Sequence, residues 1–480
     1  MTKLIHLLTP VDGSFFVKDK SFLEEGRLQF TFHQTMQMTS ALGKLLQSYL
    51  SIGDRVALFL SRGLKATIAI YATLYIGAIY VPINTIGPIK RVLFLLANTA
   101  PKLIIGQGDK PPWAKDFIWL DIDSCGLHTM RELWITPAQE TEALAAILHT
   151  SGSTGNPKGV ALSYRAIIAF CDWAGKTFSI SHLDTIANLA PFCFDLSLFD
   201  LFTSFRFGSR LLFMPQHLTL HPLAMTDWLI ANKVTIWYTV PTVLAFLLKR
   251  GNIEKLKYAH LRCILFAGEP IATYILLSLV TSLPNIAFYN LYGPLETNVC
   301  CYWKVDADIL KRINQVPIGF PACNDRLKLD DSSGELWVEG PSLMSGYWIN
   351  GLQSHKEWYR TGDLVDKLED GSLVYKGRMD RMFKYKGFRI ESYEIENSLL
   401  SIPEIEAAVV CLVEENIVAC LVVKIDISSQ ELNKVLEASL PSYMIPSKIL
   451  FFNVFPKLPN GKTDLLKVQH EAYQQCIHKK

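Results

Sequence analysis

A strong charge imbalance, cysteines at C-x-x-C spacing and repeated segments are all missing from this 480-residue chain. The 47 Lys and Arg residues nearly balance the 45 Asp and Glu residues, and the net charge of +2 gives no general footprint for nucleic acid. The ten cysteines include no C-x-x-C pair, which argues against a disulfide framework or a zinc site and favours thiols in a reducing compartment. Because 50% of the residues are hydrophobic, a disordered chain is excluded and a large core is expected. The composition predicts a large cytoplasmic enzyme of two or three domains.

One apolar run is long enough to be considered as a membrane span. The segment 66–83, ATIAIYATLYIGAIYVPI, carries no charged residue. It also contains Gly77, several tyrosines and Pro82, which favour a buried helix to about Tyr75, a turn at Gly77 and a strand through Val81. We therefore expect no membrane association.

Short apolar runs alternate with amphipathic stretches over the first three quarters of the chain. The runs predict strands, and the stretches 224–233 and 241–250 have helical periodicity. The predicted strands are 55–60, 78–83, 102–106, 146–150, 210–214, 234–240, 262–268 and 286–293. This alternation predicts an α/β fold with mostly parallel sheets covered by helices.

The pattern of predicted secondary structure changes twice towards the C-terminus. From about Gly334, hairpin-like pieces rich in Gly and Asp predict a small β-barrel-like part. After Asp380, a helix near 392–400 and strands at 407–413 and 417–424 predict a small α+β domain. We expect a large N-terminal domain over 1–379 and a C-terminal domain over 380–480.

The segment TSGSTGNPKGV (150–160) is the sharpest local signal for a ligand. It stands between an apolar strand and a helix that Ser163 is placed to cap. Glycines, hydroxyl groups and one lysine in such a loop suit a polyphosphate, although the order of a Walker A loop is absent. The predicted phosphate-binding residues are Thr150, Ser151, Gly152, Ser153, Thr154, Gly155 and Lys158.

Further motifs follow this loop in a recognisable order. They are FDLS (194–197), NLYGPLE (290–296), GELWVEGPSLMSGYW (334–348), YRTGDLV (359–365), GRMDRMFKYKGFRIESYEIE (377–396), LPSYMIP (440–446) and LPNGKTD (458–464). With them the chain resembles the adenylate-forming enzymes, and specifically the amino-acid adenylation domains of the nonribosomal peptide synthetase type. The resemblance covers nearly the whole chain.

The resemblance implies attack of a carboxylate on the α-phosphorus of ATP, with release of pyrophosphate. No general base is required, because the carboxylate is already ionised near neutral pH. By resemblance, Glu296 binds Mg²⁺, and Lys462 contacts both the substrate carboxylate and the α-phosphate as the catalytic lysine. Leu295 departs from the family, which usually has Thr there, so one phosphate contact is in doubt.

The same resemblance assigns the nucleotide site. Tyr292 matches the aromatic residue that stacks on adenine, and Asp363 matches the aspartate that accepts hydrogen bonds from both ribose hydroxyls. Arg378 supports the same region, and Gly268 and Gly293 are assigned to the ATP site.

The family's specificity positions predict which acid is activated. Asp195 matches the aspartate that pairs with the α-ammonium of an amino acid, although a helix N-cap is the alternative role for this residue. The complete set is Asp195, Leu196, Phe199, Tyr238, Leu265, Ala267, Leu291, Val299, Cys300 and Lys462. Because the set is almost wholly apolar apart from its two charges, it favours a small apolar side chain. It resembles the set of stand-alone L-proline ligases, with D-alanine as the rival substrate.

The resemblance also implies a partner and a moving part. We expect a stand-alone enzyme that delivers its acyl group to the phosphopantetheine thiol of a separate carrier protein. Asp380 matches the hinge about which the mobile C-terminal domain turns. Two alternatives stay open, namely an acyl-CoA or aryl-acid ligase on the same fold and a nucleotide-binding regulator without catalytic activity.

Overall fold

The structure, a computed structural model, describes a large part of the chain. Its described residues are 4–5, 20–127, 139–150, 157–313, 315–355, 358–379, 382–425, 427–457 and 463–477. The predicted site residues 151–155, Asp380 and Lys462 lie outside them. The chain divides into two compact units, the first formed by 1–85, 96–149 and 159–379 and the second by 86–95, 150–158 and 380–480.

Strands and helices alternate through most of the described residues. The strands are β1 Leu4–Ile5, β2 Ser21–Glu25, β3 Leu28–Thr31, β4 Arg55–Leu58, β5 Ile79–Pro82, β6 Leu103–Gly106, β7 Ile118–Asp121, β8 Gln139–Glu140, β9 Leu144–Thr150, β10 Lys158–Ser163, β11 Thr185–Asn188, β12 Arg210–Phe213, β13 Ile236–Thr239, β14 Cys263–Phe266, β15 Ala287–Tyr292, β16 Cys301–Lys304, β17 Pro317–Pro321, β18 Arg326–Leu329, β19 Glu335–Glu339, β20 Gly346–Trp348, β21 Leu352–Ser354, β22 Tyr359–Lys367, β23 Leu373–Arg378, β24 Met382–Tyr385, β25 Phe388–Glu391, β26 Ile405–Val413, β27 Asn416–Val423 and β28 Lys448–Phe451. The helices are α1 Phe32–Leu46, α2 Leu64–Tyr75, α3 Ile89–Thr99, α4 Tyr164–Thr177, α5 Leu196–Leu198, α6 Ser204–Phe207, α7 Pro222–Ala231, α8 Pro241–Arg250, α9 Thr273–Ser282, α10 Ala307–Arg312, α11 Ser392–Leu400, α12 Ser429–Ser439 and α13 Leu465–Ile477.

The apolar run 66–83 forms a buried helix, a turn and a buried strand, as the sequence predicts. In α2 every residue except Lys65 is buried, which explains why the helix carries so little charge. Gly77 takes a positive φ of 76° in the turn, and β5 is buried along its whole length. In the part of the chain that the structure describes, no helix is long and apolar enough to cross a membrane.

The first unit contains two large sheets. One has the strand order β21-β20-β10-β9-β5-β4-β6-β7, and its strands β9, β5, β4, β6 and β7 run parallel. The other has the order β18-β19-β22-β23-β17-β16-β15-β14-β13-β11-β12-β2-β3. In this second sheet, the strands from β15 to β2 are parallel and those from β18 to β15 are antiparallel.

This topology confirms the predicted α/β fold class. The hairpin-like pieces after Gly334 form antiparallel strands, of which β19, β22 and β23 belong to the second sheet and β20 and β21 to the first. Local signals set several helix ends correctly. Ser163 caps α4 by accepting a hydrogen bond from the backbone N–H of Ala166 at 3.3 Å, and α8 begins at a proline, which needs no N–H partner there.

The second unit includes a small α+β fold over its C-terminal residues. Strands β26, β27 and β28 form one sheet, and β24 pairs with β25 in a hairpin. One apolar cluster includes residues of α11 and α12, and another includes residues of α13. Because both clusters contain side chains of β26 and β27, this sheet is buried on both faces.

Candidate active site

The predicted nucleotide residues Tyr292, Asp363 and Arg378 meet at one buried carboxylate. Asp363 in β22 lies opposite Arg378 in β23, and the Arg378 guanidinium donates to Asp363 Oδ1 at 2.6 Å. The hydroxyl of Tyr292, the last residue of β15, donates to Asp363 Oδ2. Within the described residues, each carboxylate oxygen therefore accepts from one side chain and keeps lone-pair capacity for another donor.

The phenol of Tyr292 is held in its neutral form. Burial raises its pKa well above the usual value, and the negative charge of Asp363 raises it further. Tyr292 therefore remains a hydrogen-bond donor to this carboxylate at any physiological pH. Its ring also lies 6.4 Å from that of Tyr375, measured between centroids, and Tyr375 is an aromatic neighbour that the sequence did not single out.

Glu296, the predicted metal ligand, lies in the loop between β15 and β16 and is only 1% exposed. The hydroxyl of Tyr347 donates to its Oε1 at 2.9 Å. Tyr347 lies in β20 opposite Val160 of β10, the strand that follows the predicted phosphate loop. The sequence missed this contact, although Tyr347 stands in the quoted motif GELWVEGPSLMSGYW.

The donor set suits a cation that phosphate oxygens help to bind. Among the described residues there is no group of three or more His, Cys, Asp or Glu side chains that could hold a metal ion. Mg²⁺ needs no such group, because it is usually held by one or two carboxylates together with phosphate oxygens and water. One buried carboxylate at Glu296 fits that pattern.

Two predicted glycines occupy positions that other residues could not easily take. A Cβ atom at Gly293 would lie 1.5 Å from the carbonyl oxygen of Asn298, so the backbone approach there requires glycine. Gly268, which follows β14, has a φ of +93°. Both glycines therefore allow tight backbone turns after strands β14 and β15.

The predicted specificity residues, apart from Lys462, lie in the first unit. All of them except the half-buried Asp195 are buried in one apolar cluster. Tyr238 in β13 is the register partner of Leu265 in β14, and Leu265 is the partner of Tyr289, two residues before Leu291 in β15. Because side chains alternate along a strand, Tyr238, Leu265 and Leu291 share one face near the carboxyl ends of three parallel strands. Ligands of open α/β sheets bind at such ends.

Asp195 is the N-cap residue of helix α5, which is the alternative role that the sequence analysis gave for it. Its Oδ1 accepts a hydrogen bond from the backbone N–H of Leu196 at 3.0 Å and caps the short helix α5. A carboxylate has about four acceptor positions, so this bond leaves room for an ammonium group. Among the remaining loop residues, Thr150 ends β9 and Lys158 begins β10.

Comparison with known proteins identifies the family. Residues 16–348 match the family described as AMP-binding enzyme, and residues 394–462 match the AMP-binding enzyme C-terminal domain. The chain belongs to the AMP-binding enzymes. It is an adenylating ligase with an α/β body and a separate C-terminal fold.

Two relatives of this AMP-binding enzyme are L-proline--[L-prolyl-carrier protein] ligases. The protein from Pseudomonas fluorescens is 33% identical over 475 residues, which cover 93% of this chain and 94% of the relative. The protein from Streptomyces coelicolor is 33% identical over 484 residues, with 91% of each chain covered. Among solved structures, the o-succinylbenzoate CoA synthetase (MenE) of Bacillus subtilis matches with a TM-score of 0.83 at 21% identity, covering 95% of this chain and 96% of that one. At that identity, the last match shows the fold alone.

Most cysteines of this AMP-binding enzyme are buried thiols. The structure describes all ten, none of them forms a disulfide, and eight are buried. Cys300 is one of the predicted specificity residues, and the Cys323 thiol near it donates to the carbonyl oxygen of Val299 at 3.2 Å. The thiols near the predicted pocket therefore act as small apolar packing groups.

Proposed function

We propose that this enzyme activates a small apolar amino acid as an aminoacyl adenylate, with release of pyrophosphate, and that its preferred substrate is L-proline. It then transfers the aminoacyl group to the phosphopantetheine thiol of a separate carrier protein. The observation that carries this proposal is the combination of one carboxylate, Asp195, with a surrounding set of buried apolar side chains. The names of the two relatives at 33% identity support the same substrate and the same kind of acceptor.

The surroundings of Asp195 favour a compact substrate. The rings of Phe199 and Tyr238 pack edge to face with centroids 5.5 Å apart and take up much of the volume near the strand ends. A charged or strongly hydrogen-bonding substrate side chain would lose its water there without finding partners. A prolyl ring is compact and apolar, and its secondary ammonium keeps two N–H donors for the carboxylate of Asp195.

Positioning and charge neutralisation are what the first half-reaction needs. A carboxylate oxygen of the amino acid attacks the α-phosphorus of ATP, a new C–O–P linkage forms, and the bond to the departing pyrophosphate breaks. We assign Asp363 and Tyr292 to hold the ribose and the adenine, so that the α-phosphate stays in line with the attacking oxygen. Lys462 is assigned to hold both reacting groups through its ammonium.

Magnesium belongs to the same proposal, with Glu296 as the protein ligand. When bound, Mg²⁺ neutralises charge on the phosphate oxygens. The Tyr347 hydroxyl orients the Glu296 carboxylate for this role by donating to one of its oxygens.

The second half-reaction exchanges one acyl bond for another. The thiolate of the carrier attacks the carbonyl carbon of the adenylate, a thioester forms, and AMP leaves with the electron pair of the C–O bond. The carrier supplies the nucleophile, so the enzyme needs no nucleophile of its own.

Amino-acid-dependent ATP–pyrophosphate exchange tests the first half-reaction. The panel contains L-proline, D-proline, L-alanine, D-alanine, glycine, valine and several simple carboxylic acids. We expect exchange to be greatest with L-proline. Greatest exchange with D-alanine would overturn the substrate assignment, and exchange with the simple acids alone would favour an acyl-CoA or aryl-acid ligase.

A matched pair of lysine variants tests whether the chain is a catalyst or a regulator. We expect Lys462→Ala to reduce exchange by about 100-fold or more, because positioning and charge stabilisation are lost together. Lys467→Ala is the control, since Lys467 is exposed and pairs with Asp464 at 3.9 Å. Equal activity of the two variants would remove the catalytic role of Lys462. Intact mass of a phosphopantetheinylated carrier, incubated with enzyme, ATP and the preferred amino acid, then tests the transfer step.

A further inference from the structure

A second acidic residue, Asp200, follows Asp195 in the same segment and has no role in the chemistry described above. It lies in a π-helical turn, Phe199–Thr203, which continues the short helix α5. Its side chain is fully buried. Turns of this type are rare and frequently occur at functional sites.

The contacts of Asp200 connect this turn to the end of a parallel strand. The side-chain amide of Asn188, the last residue of β11, donates to Asp200 Oδ2 at 2.8 Å and to the carbonyl oxygen of Ala190 at 3.0 Å. The guanidinium of Arg62 donates to the backbone and side-chain oxygens of Asn188, at 3.3 and 3.4 Å, and to the carbonyl oxygen of Met214 at 2.5 Å. Arg62 therefore joins the ends of β11 and β12, and Asn188 joins them to Asp200.

The protonated form of Asp200 suits this environment. Over the described residues, Oδ1 has no hydrogen-bond partner, and the donor to Oδ2 is a neutral amide. Burial raises the pKa of Asp200 to about 8, although the Asn188 hydrogen bond and the charge of Arg62 act in the opposite direction. Asp200 therefore remains largely uncharged at neutral pH.

Several titratable and charged groups surround this turn, including the ion pair of Arg206 in α6 with Asp172 in α4. Arg62 and Tyr238 interact with Asp200 electrostatically, and Tyr238 also interacts with Asp195. The elements packed around the turn carry further titratable groups at Tyr71, Tyr80 and Cys171. Burial raises the pKa of Cys171 to about 12 and raises those of Tyr71, Tyr80 and Tyr238 far above neutrality.

The turn also carries a wall of the predicted amino-acid pocket. Phe199, the residue before Asp200, packs edge to face against Tyr238, and both belong to the predicted specificity set. We propose that Asp200 is a positioning residue of the amino-acid pocket, which holds the Phe199–Tyr238 pair in place through its hydrogen bond with Asn188. This inference rests on the proposed function, because it needs the substrate to bind beside these two rings.

Two variants of Asp200 and one matched control test the proposal in ATP–pyrophosphate exchange. Asp200→Ala removes the hydrogen bond, and Asp200→Asn preserves the shape and hydrogen bonding of the neutral acid. We expect Asp200→Ala to raise the KM for the amino acid about tenfold, with less than a twofold change for ATP, and Asp200→Asn to stay within about threefold of wild type. The control is Asp184→Ala, a buried acid just before β11, bonded to Arg262 and Thr235 at the opposite end of that strand.

Two results would overturn the positioning role. One is an equal rise of both KM values in Asp200→Ala, and the other is the same amino-acid-specific rise in Asp184→Ala. If Asp200→Ala does not fold, Asn188→Ala removes the same hydrogen bond from the other side and must give the same selective rise. A purely structural network would change protein yield and melting temperature without this selectivity.

A pH profile adds a readout that packing alone would not change. The ratio of kcat/KM for the amino acid, Asp200→Asn over wild type, should be close to one at pH 6.5 and rise severalfold by pH 9. A flat ratio would exclude ionisation of Asp200 from pocket control. Absence of amino-acid-dependent exchange in wild type would instead contradict the proposed function. Failure of the positioning role and failure of the proposed function are therefore distinguishable.

Discussion

The hydroxyl of Tyr292 donates a hydrogen bond to the carboxylate of Asp363, 71 residues later in the chain. In the proposed function, these residues hold the adenine and the ribose respectively. Their direct contact, together with the ion pair between Asp363 and Arg378, would prearrange one side of this proposed nucleotide site before any ligand binds. Removing the charge of Asp363 should therefore affect nucleotide binding more than amino-acid binding.

Asp363→Asn tests this expectation. The amide still accepts one hydrogen bond, but it loses charge-assisted bonds to the ribose hydroxyls worth about 2 kcal/mol, so the KM for ATP should rise roughly 30-fold. Asp366→Asn, three residues further along β22, is the control, because Asp366 is exposed and pairs with Lys376 at 3.2 Å. Calorimetric titration with ATP and steady-state exchange kinetics measure the effect. An unchanged ATP affinity would show that Asp363 holds Arg378 and Tyr292 without contacting the nucleotide.

Glu296→Gln should weaken the response to magnesium. The neutral amide is a poor ligand for a hard cation, so the Mg²⁺ concentration for half-maximal exchange should rise about tenfold or more. Tyr347→Phe should give a smaller shift in the same direction, because it removes only the hydrogen bond that orients the carboxylate. Calorimetric ATP affinity with and without Mg²⁺ gives a second readout. Glu339→Gln, which changes a carboxylate paired with Arg326, should leave both measurements as in wild type.

Asp195→Asn separates the two roles of Asp195. Asparagine is as good an N-cap as aspartate, so α5 should remain capped while the negative charge is lost. The KM for the amino acid should rise about 100-fold, because the substrate ammonium loses a charged partner in an apolar site, whereas ATP binding should persist. Exchange kinetics at saturating ATP measure this change. A KM close to the wild-type value would leave Asp195 as a helix cap only.

The stability of Asp200→Asn should depend on pH with a definite sign. In the unfolded chain Asp200 ionises near its usual value of 3.8, whereas the folded protein keeps the proton up to about pH 8. Wild type therefore loses stability relative to Asp200→Asn as pH rises from about 4 to 8, and the difference should reach about 5 kcal/mol at pH 8. Denaturant unfolding followed by tryptophan fluorescence at pH 4, 6 and 8 measures the difference.

Asp184→Asn provides a control of opposite sign. Burial opposes the ionisation of Asp184, but hydrogen bonds from Arg262, Ser181 and Thr235 outweigh it and lower its pKa. Its stabilising effect is therefore complete above the unfolded value near 4 and is lost only as pH falls below it. Asp184→Asn should be less stable than wild type by a constant amount between pH 6 and 8. A constant difference for Asp200→Asn as well would contradict a buried neutral acid.

Local pattern was sufficient for most of the secondary structure. The predicted helix 241–250 matches α8, and the predicted helix 392–400 matches α11. The predicted helix 224–233 begins and ends earlier, as Pro222–Ala231, because a proline without an N–H fits the first helical turn. Hydrophobic periodicity and turn residues predict helices and strands, because these elements depend mainly on residues that are close in sequence.

Some of the candidate site residues could be predicted from the sequence, whereas their contacts could not. The order of the motifs was enough to propose Tyr292, Asp363 and Glu296, because each stands inside a family motif. The hydrogen-bond partners were harder to predict from the sequence. Tyr347 lies 51 residues from Glu296, and Asn188 lies 12 residues from Asp200. Hydrophobic periodicity cannot predict such contacts, because it describes neighbouring residues, whereas these side chains meet only when distant parts of the chain pack together.

By itself, the sequence determined the α/β class, the family and the kind of reaction, because these depend on local periodicity and on short motifs that carry their own chemistry. Only the tertiary structure decided that the Asp363 carboxylate binds Arg378 and Tyr292 with different oxygens, that Asp195 caps a helix, and that Asp200 lies buried beside a neutral amide. Burial and hydrogen-bond partners set the charge of an acid, and both arise only when strands distant in sequence are packed together.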